Sequence, residues 1–201
     1  MTRVRTHAAT RPNLPPLGRP VVLVGLMGAG KTSVGVRLAH LLGARFFDSD
    51  DEIERAANLT VPEIFERYGE AHFRSGERRV LARLLSGPPA VIATGGGAFM
   101  DGETRALVRI CAVSVWLRAA IEVLLQRTAG RTHRPLLNRG NPRAILERLI
   151  ETRYPVYAEA DLMIESLAEQ SHDQMAGRIL EALLGDGRAF DGPSRPAQGR
   201  T

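Results

Sequence analysis

The chain has 201 residues, a net charge of +5, 44% hydrophobic and 24% charged residues, which is ordinary for a globular domain. Its single cysteine excludes an internal disulfide framework and a cysteine-based zinc site, and no apolar stretch approaches the ~18 residues that a membrane span needs. Aromatic residues make up only 5%, which disfavours a protein that reads nucleic acid by base stacking. We therefore expect a cytoplasmic monomer with no membrane or nucleic-acid partner.

Short apolar runs alternate with segments of helical periodicity along most of the chain. The first run, 21–24, is followed by a glycine loop and a helical pattern that Gly43 ends. This order predicts an α/β fold in which helices flank a five-stranded parallel sheet. The predicted strands cover 21–24, 45–47, 90–93, 112–117 and 162–164, and the predicted helices cover 33–42, 51–57, 61–67, 70–85, 103–109, 121–127, 143–153 and 173–184.

The two ends and one internal segment differ in composition from the rest. Residues 1–18 contain arginines and prolines, no acid and no apolar signal core, so we expect a disordered basic extension rather than a transit peptide. Residues 129–141 are polar and contain glycine and arginine, which predicts a mobile lid. Residues 185–201 are rich in glycine and proline and predict a disordered tail. The folded domain is expected to span 19–184.

The positive charge comes almost entirely from arginine, because Lys31 is the single lysine among 27 basic residues. The arginines are scattered and mixed with acidic residues. Two interpretations stay open. The arginines can reflect a compositional bias with basic tails, which would suit a nucleotide-dependent module that engages nucleic acid. Alternatively, a subset of them grips an anionic ligand.

The loop after the first strand has the phosphate-binding pattern G-x-x-x-x-G-K-[ST]. Its glycines let backbone N–H groups surround phosphate oxygens, and the following helix points its positive end at the same anion. A strand before the loop and a helix after it favour a nucleotide site over a structural glycine turn. The pattern assigns the β- and γ-phosphates to Lys31 and Mg²⁺ to the Thr32 hydroxyl. The predicted nucleotide-binding residues are Gly28, Ala29, Gly30, Lys31, Thr32 and Ser33.

The lysine content also excludes two classes of nucleotide-binding protein. A Ras-type GTPase reads guanine with N-K-x-D, and a protein kinase needs a strand lysine and an H-R-D loop. Neither pattern occurs in the sequence. Among nucleotide-binding proteins with a phosphate loop, the pattern therefore favours a small-molecule kinase or a related P-loop enzyme.

Two acidic residues, Asp48 and Asp50, follow the second predicted strand, at the edge where open α/β sheets hold their ligands. Residues two apart on a strand point the same way, which would aim both carboxylates into a site. The alternative is a helix N-cap, with Asp50 just ahead of the next helical segment.

Taken together, the motifs resemble those of the shikimate kinase family. They run from Val21 to Leu184 and comprise the phosphate loop 25–32, F-D-S-D at 47–50, G-E-A-H-F-R at 69–74 with Glu77, three glycines at 95–97, R-P-L-L at 134–137, and Arg153 before Pro155. The resemblance implies transfer of the γ-phosphoryl of ATP, with Mg²⁺, to the 3-hydroxyl of shikimate in aromatic amino-acid biosynthesis. A kinase of another carboxylated polyol, such as gluconate, is the alternative, because arginines do not select a carbon skeleton.

The resemblance also assigns roles on the acceptor side. Asp50 binds the acceptor hydroxyls and orients or deprotonates the attacking one, while Asp48 supports Mg²⁺. Arg74 and Arg153 hold the carboxylate of shikimate, since a guanidinium matches a carboxylate in a bidentate fashion. Glu77, one helical turn after Arg74, would fix the rotamer of that arginine.

The remaining assignments concern loops. The resemblance places Arg134 of the lid on the phosphates and Arg127 on the adenine, with Arg131 and Arg139 as competitors for the lid role. The three glycines, Gly95, Gly96 and Gly97, would let backbone approach the substrate. The alternatives are a plain loop for the glycines and a solvated helix face for Arg74.

Overall fold

The computed structural model describes residues 14–129 and 141–191, and its centre is a five-stranded parallel sheet. The spatial order of the strands is β2-β3-β1-β4-β5, which confirms the predicted α/β fold. The strands are β1 (Val21–Val24), β2 (Arg45–Asp48), β3 (Ala90–Ala93), β4 (Val113–Ala119) and β5 (Leu162–Ser166).

The central strand β1 is fully buried, which explains why all four of its residues are apolar. Val22 is in register with Ile92 on one side and with Ser114 on the other. At the two ends of the sheet, Phe47 pairs with Ile92 and Leu117 with Ile164. The carboxyl ends of all five strands therefore lie along one edge.

Within the described ranges, seven α-helices connect and flank the strands. They are α1 (Lys31–Leu42), α2 (Ser49–Ala57), α3 (Val61–Leu85), α4 (Gly102–Cys111), α5 (Ile121–Thr128), α6 (Pro142–Tyr157) and α7 (His172–Asp186). Among their contacts, α1 packs against α7, α3 against α4, and α5 against α6. Side-chain caps start several of them, including capping boxes at Thr60 and Ser171.

Two helices differ from the sequence prediction. The two segments predicted on either side of Gly69 form one element, α3, with a break at that glycine, where φ is +75°. Helix α6 continues past its predicted end at Arg153 and contains Pro155. A proline inside a helix lacks the N–H donor of the helical ladder, and α6 ends two residues later at the buried Tyr157.

The folded part of the chain also extends beyond the predicted limits of the domain. Ala189 is buried, and its carbonyl accepts hydrogen bonds from the N–H groups of Gly18 and Arg19 at 2.9 and 3.1 Å. Arg188 pairs with Asp161 at 2.6 Å. The prediction that a disordered tail starts at residue 185 therefore places the end of the folded domain too early.

Three predicted segments lie partly or wholly outside the described residues: the basic extension up to residue 13, the lid over residues 130–140, and the tail from residue 192 onward. Within the described ranges, no helix has the length and apolar character needed to cross a membrane.

Candidate active site

The phosphate loop lies between the carboxyl end of β1 and the amino end of α1. Gly28 and Gly30 have φ values of +85° and +96°, which side-chain-bearing residues rarely adopt. The Lys31 ammonium donates to the carbonyls of Gly25 and Leu26 at 2.8 and 3.0 Å, so the side chain folds back over the loop. Phosphate oxygens bound here would meet this ammonium and the positive end of α1.

Ala29 is buried inside the phosphate loop, where its N–H donates to the Leu26 carbonyl at 3.2 Å. The neighbouring loop residues face a cavity of about 580 Å³ that is also lined by residues of α3. The cavity brings together the described residues of the predicted site except Ala29: Gly28, Gly30, Lys31, Thr32, Ser33, Asp48, Asp50, Arg74, Gly95, Gly96, Gly97, Arg127 and Arg153.

Asp48 joins the phosphate loop to α2. Its Oδ2 accepts a hydrogen bond from Thr32 Oγ1 at 2.8 Å, and its Oδ1 accepts one from the Asp50 N–H at 3.1 Å. Asp48 is therefore the N-cap of α2, a role that the sequence suggested for Asp50. Asp48 does end strand β2, but the expectation that Asp50 continues the strand is wrong, because the backbone becomes helical at Ser49.

Asp50 lies in the first turn of α2 and directs its carboxylate into the cavity. Within the part of the chain that the structure describes, nothing hydrogen-bonds its buried Oδ1. Burial raises the pKa of Asp50 to about 6, the nearby carboxylates of Asp48 and Glu77 add to the rise, and Lys31 opposes it. An acid with this pKa is mostly ionised at neutral pH and is still a competent proton acceptor.

The three glycines after β3 each leave room for one polar side chain from a different helix. A Cβ at Gly95 would lie 2.6 Å from Asp50 Oδ1, and one at Gly97 would lie 2.5 Å from Arg74 Nη2. A Cβ at Gly96 would lie 3.2 Å from Arg153 Nη1. The turn therefore fits closely against three polar side chains of α2, α3 and α6, which a plain connecting loop does not explain.

Arg74 is held by two acidic residues of its own helix. It donates to Glu77 at 2.6 Å, as the sequence suggested, and to Glu70 at 3.3 Å. Glu77 is buried, which raises its pKa, and the Arg74 guanidinium opposes that rise. Because the Arg74 side chain is only 26% exposed and lines the cavity, the solvated-face interpretation does not describe it.

Two further arginines lie at opposite ends of the cavity. Arg153 donates to the Gly96 carbonyl at 2.7 Å, on the side of Asp50 and Arg74. Arg127 donates to Ser166 Oγ and to the Leu167 carbonyl, both at 2.7 Å, and its guanidinium lies beside Gly30. Arg127 is therefore at the nucleotide end. Arg134, Arg131 and Arg139 lie outside the described residues.

Sequence reasoning missed the apolar wall of the cavity. Phe65 and Phe73 line it, with ring centroids 4.6 Å apart, and Val61 lies nearby on the same helix. The two rings lie on either side of the break at Gly69, so the helical period of the sequence does not bring them together. His172, at the start of α7, also lines the nucleotide end and has no distinctive sequence pattern around it.

A phosphate loop facing a buried carboxylate and a pair of arginines across one cavity defines a P-loop kinase for a small anionic acceptor. The model of the shikimate kinase family matches residues 27–184. The chain is 56% identical to the shikimate kinase of Paramagnetospirillum magneticum over 84% of this chain and 86% of that one. It is 53% identical to the enzyme of Ruegeria pomeroyi over 83% and 86%. The chain therefore belongs to the shikimate kinase family.

Solved structures agree with this assignment. The shikimate kinase from Acinetobacter baumannii in complex with shikimate has a TM-score of 0.79 and 42% identity, covering 87% of this chain and 95% of that one. A gluconokinase from Sinorhizobium meliloti has a TM-score of 0.55 and 18% identity, which shows a shared fold alone. The protein is an ATP-dependent kinase of shikimate, and gluconate is not the favoured acceptor.

Proposed function

We propose that the protein transfers the γ-phosphoryl group of MgATP to the 3-hydroxyl of shikimate, with Asp50 as the group that receives the hydroxyl proton. The observation that carries this proposal is the position of Asp50, which lines the same cavity as Lys31 and whose pKa burial raises to about 6. A hydroxyl bound at this carboxylate lies between the acid and the phosphate loop.

The acceptor carboxylate would bind Arg74 and Arg153. Each guanidinium has five N–H donors and is tethered to the protein through some of them, by Glu77 and Glu70 for Arg74 and by the Gly96 carbonyl for Arg153. Among the described residues the remaining donors have no partner, so they can bind a carboxylate in a bidentate fashion. This arrangement orients shikimate so that one hydroxyl meets Asp50.

The transfer step balances with the groups present. The shikimate 3-hydroxyl oxygen forms a bond to the γ-phosphorus, the bond from that phosphorus to the β,γ-bridging oxygen breaks, and ADP leaves. The hydroxyl proton passes to Asp50. Phosphoryl transfer depends mainly on positioning and on charge neutralisation, so a single carboxylate at the nucleophile suffices.

The nucleotide side would be held by the phosphate loop and by arginines. We propose that Lys31 and the N-terminal end of α1 bind the β- and γ-phosphates and that Arg127, which lines the same end of the cavity, contacts the adenine. We propose, from the R-P-L-L motif, that Arg134 of the lid binds the phosphates.

The residues present also fit a magnesium ion. Thr32 Oγ1 and Asp48 Oδ2 are 2.8 Å apart beside the phosphate loop, and both are hard oxygen ligands. Over the described ranges, no cluster of three or more histidine, cysteine or acidic residues could hold a metal alone. This agrees with Mg²⁺, which usually takes one or two protein ligands together with phosphates and water. When bound, the ion neutralises charge on the transferred phosphoryl group.

The test is the identity of the product. The protein is incubated with ATP, Mg²⁺ and shikimate, and the product is examined by ³¹P and ¹H NMR. We expect one phosphate ester coupled to the proton at carbon 3, and we expect excess EDTA to abolish it. Phosphate on another hydroxyl, or undiminished product with EDTA, would contradict the proposed acceptor atom or the metal requirement respectively.

A further inference from the structure

Tyr157, the last residue of α6, has a hydroxyl group that points into the wall of the acceptor site. Its side chain is fully buried against Trp116 and Tyr154, with ring centroids 6.1 and 6.3 Å away. It follows Arg153 by four residues, so the two side chains lie on one face of the helix. Packing fixes the ring and therefore fixes the position of the hydroxyl.

The hydroxyl and Arg153 share one acceptor. The Tyr157 hydroxyl donates to the Gly96 carbonyl, and Arg153 Nη1 donates to the same oxygen at 2.7 Å. Because a carbonyl oxygen has two lone pairs, these bonds use its full accepting capacity. Burial raises the pKa of the Tyr157 hydroxyl, and the neighbouring Arg153 opposes that rise only in part, so the hydroxyl stays protonated and remains a donor.

The orientation of the Gly96 carbonyl, in the middle of the glycine turn, therefore depends on Tyr157. A Cβ at Gly96 would lie 3.2 Å from Arg153 Nη1 and 3.7 Å from the Tyr157 hydroxyl, so both groups press closely on this residue. Without the hydroxyl, the carbonyl that anchors Arg153 would itself be free to rotate. Arg153 would then sample orientations that do not face the acceptor.

We propose that Tyr157 is a positioning residue for the acceptor carboxylate, which acts by fixing the Gly96 carbonyl and, through it, Arg153. The proposal rests on the proposed role of Arg153 in binding that carboxylate. Tyr157 does not line the cavity and does not touch the substrate. Its effect should therefore appear in shikimate binding and not in nucleotide binding.

The test compares Tyr157→Phe with Tyr154→Phe. Tyr154 is the matched control because it lies on the same helix and also donates its hydroxyl to a backbone carbonyl, that of Ala119. We expect Tyr157→Phe to raise the KM for shikimate about three- to tenfold, which is the effect of one lost hydrogen bond, with the KM for ATP unchanged. Tyr154→Phe should leave both KM values within about twofold of wild type.

A double-mutant cycle with Arg153→Ala shows whether the effect passes through Arg153. In that background, Tyr157→Phe should raise the shikimate KM by less than about twofold. An equal penalty in both backgrounds, or a parallel rise in the KM for ATP, would overturn the proposal. Arg153→Ala alone reports on carboxylate binding, so a failure of that proposed role is distinguishable from a failure of the coupling.

Folding is checked on each variant by thermal melting with the fluorescence of Trp116, the chain's single tryptophan, which contacts both tyrosines. A raised shikimate KM in Tyr157→Phe with no change in melting temperature would separate positioning from a general packing defect.

Discussion

Asp50 is the residue at which the requirements of folding and of chemistry oppose each other. Its carboxylate is buried in the first turn of α2, near Asp48 and Glu77, and its Oδ1 has no hydrogen-bond partner in the described structure. Burying an ionised carboxylate without a partner destabilises the folded state. The same burial raises its pKa, which makes the carboxylate a better proton acceptor for a hydroxyl bound in the cavity that it lines.

Replacing this carboxylate by an amide should remove catalysis while leaving the nucleotide site intact. We expect Asp50→Asn to lower kcat for shikimate by about 10²- to 10⁴-fold, the usual contribution of a general base. The affinity for ATP should stay within about twofold, because the cavity places Asp50 on the acceptor side. Steady-state kinetics and equilibrium nucleotide binding measure the two quantities.

The matched control for this variant is Asp51→Asn, which removes the same charge from an exposed neighbour in the same helical turn. It should retain nearly full activity. If Asp50→Asn weakened ATP binding as much as it slowed turnover, Asp50 would belong to the metal or phosphate site instead.

The raised pKa of Asp50 also predicts how stability depends on pH. Because the folded-state pKa is about 6 and the ordinary value is 3.8, the folded state favours the protonated acid. That stabilisation is complete below about pH 4 and is lost as pH rises through 6. Asp50→Asn should therefore be more stable than wild type at pH 8, by about 3 kcal/mol, and equal to it near pH 4.

Thermal melting at several pH values measures this difference, which corresponds to a few degrees in Tm for a domain of this size. A variant that melted below wild type at pH 8 would mean that the ionised carboxylate makes a stabilising contact in the folded protein.

At the scale of elements, the glycine turn after β3 aligns three helices with one another. Residues 95, 96 and 97 lie against Asp50 of α2, Arg153 of α6 and Arg74 of α3 respectively. Elements that are far apart in the chain therefore present their polar groups to one cavity. The close contacts involve the ends of side chains, so a larger residue in the turn should displace these groups without unfolding the sheet.

Gly97→Ala tests this interpretation. Its Cβ would lie 2.5 to 2.9 Å from three atoms of the Arg74 guanidinium, which would have to move. We expect the KM for shikimate to rise about tenfold or more, by the loss of one charge-assisted contact, with the KM for ATP unchanged. Kinetics with each substrate varied in turn distinguish these effects.

Gly76→Ala is the control for this substitution, because it lies inside α3 with no atom within 4 Å of the added Cβ. It should leave kinetics unchanged and should stabilise the protein by about 0.5 to 1 kcal/mol, as alanine does in a helix. Unchanged shikimate kinetics in Gly97→Ala would show that Arg74 does not depend on the turn.

At the scale of the whole molecule, the two ends of the folded domain close on each other at the amino ends of the strands. Ala189 accepts hydrogen bonds from the residues that precede β1, and Arg188 pairs with Asp161. Asp161 in turn accepts a hydrogen bond from the Ser114 N–H at 2.8 Å. This closure lies on the side of the sheet opposite to the cavity.

Truncation should therefore affect stability and not the chemistry. A chain that ends at Asp191 should keep its melting temperature, whereas one that ends at Gly187 should melt several degrees lower, because it loses a buried alanine and an ion pair. At a temperature where both are folded, their kcat values should agree. A large loss of kcat in the shorter chain at that temperature would link the closure to the site.

The sequence was sufficient to predict the features set by local patterns. The alternation of strands and helices predicted the sheet, and the phosphate loop, Asp50, Arg74 and Arg153 do line one cavity. A helix N-cap was one of the interpretations of the two aspartates, and the structure assigns it to Asp48 because strand and helix meet there without a connecting loop. The interactions of Tyr157 and Ala189 depend on residues distant in the chain, and no local pattern encodes such contacts.

The most direct test of the central claim is ADP release from MgATP with shikimate, with gluconate and with no acceptor. We expect rapid release with shikimate alone, because the chain belongs to the shikimate kinase family. Equal release with gluconate, or release without any acceptor, would contradict it. If the protein bound nucleotide but released no ADP in any of the three mixtures, the phosphate-site assignment would be supported. The assignment of the acceptor site would be refuted.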